Sequence, residues 1–480
     1  MLFWSSKKIR FRWAISLRWV ISWRLIVSAC LLLLLVGCGY NPKHTTLPVE
    51  LSAEWQAAEA STLEYTAANS EWWLSFQSPQ LNELIAKALD SSPDLLMAQQ
   101  RILQAEAQLG ITRANALPHL GATGAMGLSN KSSSSGGSSS NSESSSLGLS
   151  TSYEIDLWGR VAAERSSSTA TLASKVYDWH ATRLTLTAAV ANNWFKWLVL
   201  DGQHRNATWY LQTADQQLEF IEAGYARGNI TRVELARQRK QVLTRRANLR
   251  KLTHQRLQSS NALALLLGEV PQNFQPPEAK LMQLKIPHPN PGLPSEILSR
   301  RPDLAREEAQ LKAVEANVAV ARKAIYPSLS LSASAKLASD SLSFSDPTRS
   351  LNLGANITQS IFDFGKRRRQ IQLSESKQQE MLLSYYRAVL NALAEVEDAL
   401  SNEQLSRALE IHQQQLIEEN RLIARNTEKL YNAGAEKLTN LLDAQLEELQ
   451  AEDQLLELYQ DRLNASLSLY KVLGGGWHMK

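Results

Sequence analysis

The chain has 480 residues, and its composition of 44% apolar and 20% charged residues is ordinary for a folded protein. The formal net charge of +4 is unevenly distributed, because residues 1–37 contain six basic side chains and no acidic one. Without them the chain is slightly acidic, which argues against nucleic acid as a partner. The sequence has no HExxH motif, no Cys/His cluster and no phosphate-binding glycine motif, so we expect neither an enzyme nor a metal site.

The first 37 residues have the pattern of a signal peptide. Basic residues precede an apolar run, Leu25–Val36, which is shorter than the roughly 20 residues that cross a membrane. The run ends in "LVGC", which is typical of a bacterial lipobox and predicts that Cys38 becomes an acylated N-terminus. We therefore interpret 1–37 as a signal peptide and 38–79 as a lipid-anchored segment, with no cofactor besides the covalent lipid on Cys38. The alternative is an uncleaved anchor helix with an incidental cysteine.

The chain repeats itself with an offset of 206 to 209 residues. The segment "PDLLMAQQRILQAEAQLGITRANALPHL" from Pro93 matches "PDLAREEAQLKAVEANVAVARKAIYPSL" from Pro302, 209 residues later. "YARGN" from Tyr225 matches "YNAGA" from Tyr431 at an offset of 206. One loop is therefore three residues longer in the first half, and the low-complexity stretch 129–146 is the candidate.

Each half contains two stretches in which apolar and polar or small residues alternate, as in β-strands with two different faces. We predict two hairpins, residues 118–158 and 327–364, with four strands of roughly nine to twelve residues. This length and pattern fit a transmembrane β-barrel, although a soluble sheet packed on helices would show the same alternation. Four strands are too few to close, since about eight is the practical minimum, so several chains would share one barrel.

Both predicted hairpins end in a similar motif, "YEIDLWGR" at 153–160 and "IFDFGKRR" at 361–368. In the first motif, we expect the apolar side chains to face lipid, and Glu154 and Asp156 to face the lumen. The tryptophan would lie at the membrane interface, and the glycine would allow the turn into a helix. The predicted membrane-boundary residues are Trp158, Gly159, Arg160, Phe364 and Gly365.

Long helices are predicted from proline, which is absent between Pro118 and Pro271 and after Pro347. The predicted helices cover 160–226, 231–267, 366–431 and the stretch from there to 473, with breaks at "RGN" and "NAGA". A helix of about 65 residues is roughly 100 Å long. The predicted segments are long helical hairpins at 159–270 and 365–473, helical segments at 80–117 and 295–326 stacked on the shorter helices, a proline-rich linker at 271–294 and a tail at 474–480.

Leucines and valines at spacings of three and four indicate a coiled-coil seam along the long helices, for example at Val389, Leu393, Val396 and Leu400. Hairpins about 100 Å long have no compact core as a monomer. The helices therefore also favour an oligomer.

These features together resemble the TolC-like outer-membrane efflux channel family, in particular its lipoprotein branch that serves resistance-nodulation-division pumps. The motifs that carry the resemblance are "WWLSFQSPQLNELIAKAL" (72–89), the two "PDL" segments, "YEIDLWGR", "FDFGKRRRQ" and "LLDAQ" (441–445). The resemblance implies a membrane α+β fold: a homotrimer with a twelve-strand outer-membrane β-barrel, continued by a twelve-helix periplasmic α-barrel. It also implies a periplasmic adaptor protein, an inner-membrane proton-driven pump and outer-membrane lipid as partners.

In this family the helical tips close the tunnel, and here the tips correspond to 225–233 and 431–443. The resemblance places Asp443 at an acidic position that rings the pore constriction, although a solvated aspartate in a first helical turn is an equal alternative. Three carboxylates around an aperture would attract cations and repel anions. The other candidate gating residues are Asn440, Tyr431, Glu436, Arg232 and Glu234; Asn440 and Arg232 depart from the acidic residues of some relatives.

The predicted function is an outer-membrane exit duct for small toxic compounds that an inner-membrane pump expels, located in the cell outer membrane and extending into the periplasm. One alternative is the exit duct of an ATP-driven type I protein secretion system, which keeps the fold and changes the partner. A second is a structural or adhesive coiled-coil surface lipoprotein, which the long-period repeat disfavours.

Overall fold

The computed structural model describes residues 52, 54–56, 70–131, 140–344 and 346–478. The predicted signal peptide and Cys38 lie outside these residues. The helices are α1 (Pro79–Ser91), α2 (Pro93–Asn115), α3 (Arg160–Ala226), α4 (Arg232–Leu266), α5 (Ile297–Arg300), α6 (Pro302–Lys323), α7 (Lys366–Asn432) and α8 (Leu438–Val472). The strands are β1 (His119–Lys131), β2 (Ser140–Ile155), β3 (Ser328–Ser339) and β4 (Thr348–Thr358).

The long helices form two antiparallel hairpins. Helices α3 and α7 have 67 residues each, and α4 and α8 have 35 residues each. The ends of these helices lie within one residue of the predicted bounds, except that α8 begins at Leu438, two residues later than the first position after "NAGA". Helix α3 packs against α4 on one side and α8 on another, and α8 packs against α7. The order is therefore α4–α3–α8–α7, with α4 and α7 at the two edges of the helical layer.

The shorter helices α1 and α2 continue the line of α4, as the sequence predicts. Where they meet, the Ser91 hydroxyl donates to the Leu267 carbonyl oxygen at 2.6 Å. Gly268 follows with a positive φ of 70°, and a Cβ there would lie 2.4 Å from the Ser91 carbonyl oxygen. The second half repeats this joint, because a Cβ on Gly474 would lie 1.9 Å from the Arg300 carbonyl oxygen. Both joints require glycine for the backbones to approach.

The four strands form one antiparallel sheet in the order β1-β2-β3-β4. The register aligns apolar residues across all four strands, for example Ala122, Leu149, Ala335 and Leu351. The opposite face carries polar residues in neighbouring rows, such as Ser150, Ser334 and Asn352. Since successive side chains of a strand point to opposite faces, the sheet has one apolar and one polar face, as predicted.

Two predicted details of the strands are wrong. The predicted hairpins continue to residues 158 and 364, whereas β2 ends at Ile155 and β4 ends at Thr358. The serine-rich stretch 129–146 is predicted to be a loop, whereas its two ends belong to the strands: Ser129 pairs with Ser142 in the β1–β2 ladder. The ladder extends this far because its hydrogen bonds join backbone groups and need no apolar side chain.

The main apolar core lies where α1, α3, α8 and the linker before α5 meet. Its fully buried aromatic side chains are Trp72, Phe76, Trp194, Phe195 and Tyr470. Trp72 stacks on Tyr470, with their ring centroids 5.7 Å apart. Among the helices of the described ranges, none is long and apolar enough to cross a membrane.

The linker between α4 and α5 is fastened to the helices by side-chain hydrogen bonds to its carbonyl oxygens. The Tyr459 hydroxyl donates to Leu284 at 2.7 Å, and the Ser466 hydroxyl donates to Pro287. The Trp55 indole N–H donates to Gly292 at 3.0 Å. These bonds fasten the second half of the linker, which we call the strap, to the helical layer.

Candidate functional site: strand–helix junctions and helical tips

The first strand–helix junction is organised by Asp156. Its carboxylate accepts hydrogen bonds from the backbone N–H groups of Val161 at 3.1 Å and Ala162 at 2.8 Å. It thus satisfies the unpaired N–H groups at the start of α3, and its negative charge suits the helix N-terminus. Asp156 therefore lies beyond the end of β2 and caps the helix; that its side chain faces the lumen stays a prediction.

Gly159 and Arg160 hold the same junction together. Gly159 precedes α3 with a φ of 75°, a conformation that favours glycine. The Arg160 guanidinium binds both carboxylate oxygens of Glu154 at 2.8 Å and contacts Glu164 at 2.5 Å. Because Glu154 is the penultimate residue of β2, this ion pair fixes the strand relative to the helix.

Trp158 connects the junction to the second half of the chain. Its indole N–H donates to the Pro327 carbonyl oxygen at 2.8 Å, immediately before β3. Its ring stacks on Tyr326, with the centroids 4.9 Å apart. The tryptophan therefore links the end of β2 to the start of β3.

At the second strand–helix junction an aspartate again caps the helix, but the flanking residues differ. The Asp363 carboxylate accepts from the N–H groups of Gly365 at 3.0 Å and Arg367 at 3.2 Å. Gly365 has a φ of 83°, close to that of Gly159. Phe364, however, is 91% exposed, whereas its counterpart Trp158 is half-buried. Sequence reasoning missed both capping aspartates, although each stands two or three residues before the junction glycine.

The tip of the first hairpin, residues 227–231, is closed by a capping box. The Thr231 hydroxyl accepts from the Glu234 N–H at 3.2 Å, and the Glu234 carboxylate accepts from the Thr231 N–H at 2.9 Å. The hydrogen bonds from the backbone and side chain of Thr231 lower the pKa of Glu234. Glu234 is therefore a structural cap of α4, while the neighbouring Arg232 is exposed.

The tip of the second hairpin, residues 433–437, has no such box, because the residue before α8 is Lys437. Instead, the Glu436 carboxylate accepts from the Asn440 amide at 2.7 Å. Tyr431 packs against an apolar cluster shared by both tips, formed by Ile221, Leu235, Leu438 and Leu442. Burial, and then the charge of Glu234, raises the pKa of the Tyr431 hydroxyl. The structure thus brings Tyr431 and Glu234 together across the two hairpins.

Asp443 lies in the first turns of α8 and is exposed. The residues on either side of it, Leu442 and Ala444, are buried. Its backbone is therefore held by packing while its carboxylate remains in solvent.

Polar side chains join the two hairpins above the tips. The contacts are Asn192–Asn464 at 3.0 Å, Gln203–Glu457 at 3.0 Å, Asn206–Asp453 at 3.3 Å, Tyr210–Glu452 at 3.3 Å and Gln217–Gln445 at 3.3 Å. Burial raises the pKa of Asp453 to about 6. The sequence analysis does not predict these hydrogen bonds between the hairpins. The polar residues on α3 nevertheless recur at 203, 206, 210 and 217, which is the spacing of a coiled-coil seam.

Among the residues that the structure describes, no group of three or more His, Cys, Asp or Glu side chains could hold a metal ion. The charged groups of this region are instead engaged with one another or exposed to solvent.

The comparisons with known proteins agree on one family. The outer membrane efflux protein family matches residues 84–269 and 293–475, one copy in each half. The chain is 37% identical over 462 residues to the pyoverdine export outer membrane protein OpmQ of Pseudomonas aeruginosa, covering 94% of this chain and 96% of that protein. It is 28% identical over 455 residues to SilC of Salmonella typhimurium, a probable outer membrane lipoprotein, covering 93% and 97%. Its fold matches the Campylobacter jejuni CmeC outer membrane channel with a TM-score of 0.84 at 23% identity, covering 92% and 96%.

Four strands with one apolar face, continued by two long helical hairpins, define a channel protein of the outer membrane with the TolC-like fold. The chain belongs to the outer membrane efflux protein family. It is the outer-membrane channel of a tripartite efflux system, extends into the periplasm and acts as an oligomer. It transports and does not catalyse a reaction.

Proposed function

We propose that three copies of this chain form a twelve-strand β-barrel and a twelve-helix tunnel, anchored by lipid on Cys38. A periplasmic adaptor and an inner-membrane proton-driven pump would deliver small molecules to the closed tips. The name of the Pseudomonas relative, a pyoverdine exporter, supports a small molecule as cargo rather than a secreted protein. The lipoprotein name of SilC supports acylation at Cys38.

The observation that carries the proposal is a second heptad seam on each edge helix. Helix α4 packs on α3 through one seam, and a further set of its residues at spacings of four and three is exposed. These residues are Ala236, Lys240, Leu243, Ala247, Arg250, His254 and Leu257. A repeating set of this kind, with large apolar members left in solvent, is typical of a helix that packs on another helix.

Helix α7, at the opposite edge, has a matching exposed seam. Its residues are Leu405, Leu409, His412, Leu416, Glu419, Ile423, Asn426 and Leu430, again at spacings of four and three. Leu405 is 56% exposed and Leu430 is 49% exposed. Since α4 runs away from the tips and α7 runs toward them, the α4 seam of one copy can pack antiparallel on the α7 seam of the next.

The strands support the same assembly. Within one chain, β1 and β4 are the edges of the sheet. An open edge leaves backbone groups unpaired, which is costly in hydrocarbon, so β4 of one copy must pair with β1 of another. Three copies give twelve strands, above the minimum of about eight for closure.

Substitution in the α7 seam tests the assembly. We expect Leu416→Glu to reduce the trimer fraction of the detergent-solubilised protein by about tenfold or more, because it buries a charge at a helix–helix contact. The measurement is native mass spectrometry. The matched control is Gln415→Glu, which adds the same charge to the neighbouring exposed residue outside the seam. Equal trimer fractions in both variants would refute the proposed interface.

A further inference from the structure

One basic residue interrupts the apolar face of the sheet. Arg349 on β4 pairs with Leu337 on β3, which pairs with Leu147 on β2, which in turn pairs with Gly124 on β1. Pairing partners point to the same side of a sheet, so the guanidinium projects from the apolar face. Arg349 is exposed. Pairing of β4 with another strand would leave this orientation unchanged, because ladder bonds lie in the plane of the sheet.

The position of Arg349 along the strand places it far from the periplasm. It lies nine residues before Thr358, the end of β4 that leads into α7. Nine residues of strand span about 30 Å, and a tilt of about 40° reduces this to a height of roughly 23 Å. The apolar band of an outer-membrane barrel is about 25 Å tall. Arg349 therefore falls at the outer boundary of that band, where the cost of a charge is small.

The apolar face has a trough directly beside Arg349. This open cavity has a volume of about 650 Å³, and Arg349 is one of its lining residues. Small residues such as Ala122, Gly124 and Ala335 form its floor, and larger ones such as Leu147 and Leu351 form its sides. An extended hydrocarbon chain fits such a trough, and its polar end would meet the guanidinium.

Among the residues that the structure describes, Arg349 has no acidic partner. On the apolar face of the described strands, the sole carboxylate is that of Glu143, which pairs with Leu128. This carboxylate accepts from the Leu342 N–H at 3.4 Å. No ion pair or hydrogen bond joins Arg349 to another described residue. A cation in this position suits an anion supplied by the membrane.

We propose that Arg349 and this trough bind a phosphorylated lipid of the outer leaflet. The guanidinium donates two parallel hydrogen bonds to one phosphate, a geometry that arginine provides and lysine does not. One acyl chain lies in the trough between Leu147 and Leu351. The aliphatic part of Arg349 lies along the apolar surface while its charged end reaches the headgroup region.

The test measures lipid retained by the full-length protein in detergent micelles, with diphosphoryl lipid A as the probe and native mass spectrometry as the readout. We expect Arg349→Gln to weaken binding by about tenfold or more, and Arg349→Lys to retain part of it. The matched control is Lys336→Gln. Lys336 lies on the neighbouring strand at almost the same height and is also a lining residue of the trough. Its register with Ser350 places its side chain on the opposite, polar face, so loss of its charge should leave binding unchanged.

Three results would overturn the proposal: wild-type affinity in Arg349→Gln, equal retention of phosphate-free lipid, or displacement of lipid A by millimolar inorganic phosphate. The last result would indicate an anion site without a lipid. The trimer fraction of each variant is measured in the same spectra, so a failure to assemble is seen separately. Failure of this proposal leaves the channel function intact, because efflux in a complemented deletion strain is an independent readout.

Discussion

Helices α4 and α8 occupy equivalent places in the two halves of the repeat and have opposite charge. Both have 35 residues and begin just after a tip. Helix α4 carries nine Lys or Arg and one acidic residue, whereas α8 carries seven acidic and two basic residues. Their surroundings differ accordingly: α8 lies between α7 and α3, while α4 packs on α3 at the edge of the layer.

This difference shows which properties the repeat preserves. The apolar seam that holds each short helix on its long partner is kept in both halves, because it determines the hairpin. The exposed face is free to diverge, because its neighbour is another element or another copy of the chain. The opposite charges of α4 and α8 are therefore explained by the different elements that each helix faces, and the fold does not require them.

The largest effect is expected from reversing the charge of the α4 seam. Lys240→Glu combined with Arg250→Glu should lower the trimer fraction by about tenfold or more, because the α7 seam and its flanks are partly acidic. Native mass spectrometry measures the outcome. The control is Arg239→Glu with Glu222→Arg, which reverses an ion pair inside one chain and should assemble normally. A trimer that tolerates the α4 reversal would show that this face does not contact another copy.

The next effect concerns the exposed carboxylate at the start of α8. We expect Asp443→Ala to let the closed channel leak and to weaken its block by multivalent cations by about tenfold, because the ring of negative charge is lost. Single-channel conductance in planar bilayers measures both. Asp443→Glu, which keeps the charge, serves as the control. Unchanged conductance and unchanged block in the alanine variant would remove Asp443 from the gate.

A smaller effect, on stability, is expected at Asp453, which takes part in the hydrogen bonds between the two hairpins. Burial raises its pKa to about 6, above the value of about 3.9 in an unfolded chain. The folded state binds this proton more tightly, so stability falls as pH rises from about 4 through 6. Asp453→Asn keeps an acceptor for Asn206 and should raise the free energy of unfolding at pH 7.5 by about 1 kcal/mol, allowing for partial exposure.

Thermal unfolding followed by circular dichroism between pH 4 and 7.5 tests this expectation. The variant should differ from the wild type at pH 7.5 and approach it at pH 4. Glu447→Gln, an exposed carboxylate on the same helix, is the control. An Asp453→Asn profile parallel to that of the wild type would mean that this carboxyl is not the group that titrates.

The smallest effect is expected at the caps, where the two short helices also differ. Thr231→Ala removes the N-cap of α4 and should destabilise the first tip by about 1 kcal/mol. The corresponding Lys437→Ala should have little effect, because that side chain makes no capping hydrogen bond. Hydrogen exchange of the tip amides measures both. Similar exchange in the two variants would show that packing of the shared apolar cluster, rather than capping, holds the tips.

The sequence alone predicts the architecture because its main signals are local. Proline-free stretches and the turns at "RGN" and "NAGA" define the long helices to within two residues. The alternation around Tyr153 and Leu353 defines the strand faces. The capping role of Asp156 was missed, because its partners lie in the next element and the alternation continues through it. The pairing of Asn206 with Asp453 was missed because it joins residues 247 apart.

The strap has a mechanical consequence. Its hydrogen bonds to Tyr459 and Ser466 lie in the upper half of α8, about 32 and 42 Å from the first residue of the helix at the tip. A hairpin held at these points is a lever, so a rotation of about 0.1 radian at the strap displaces the tip by about 3 to 4 Å. Movements too small to disturb the buried aromatic core at the fulcrum are thus large enough to change the width of an aperture at the far end.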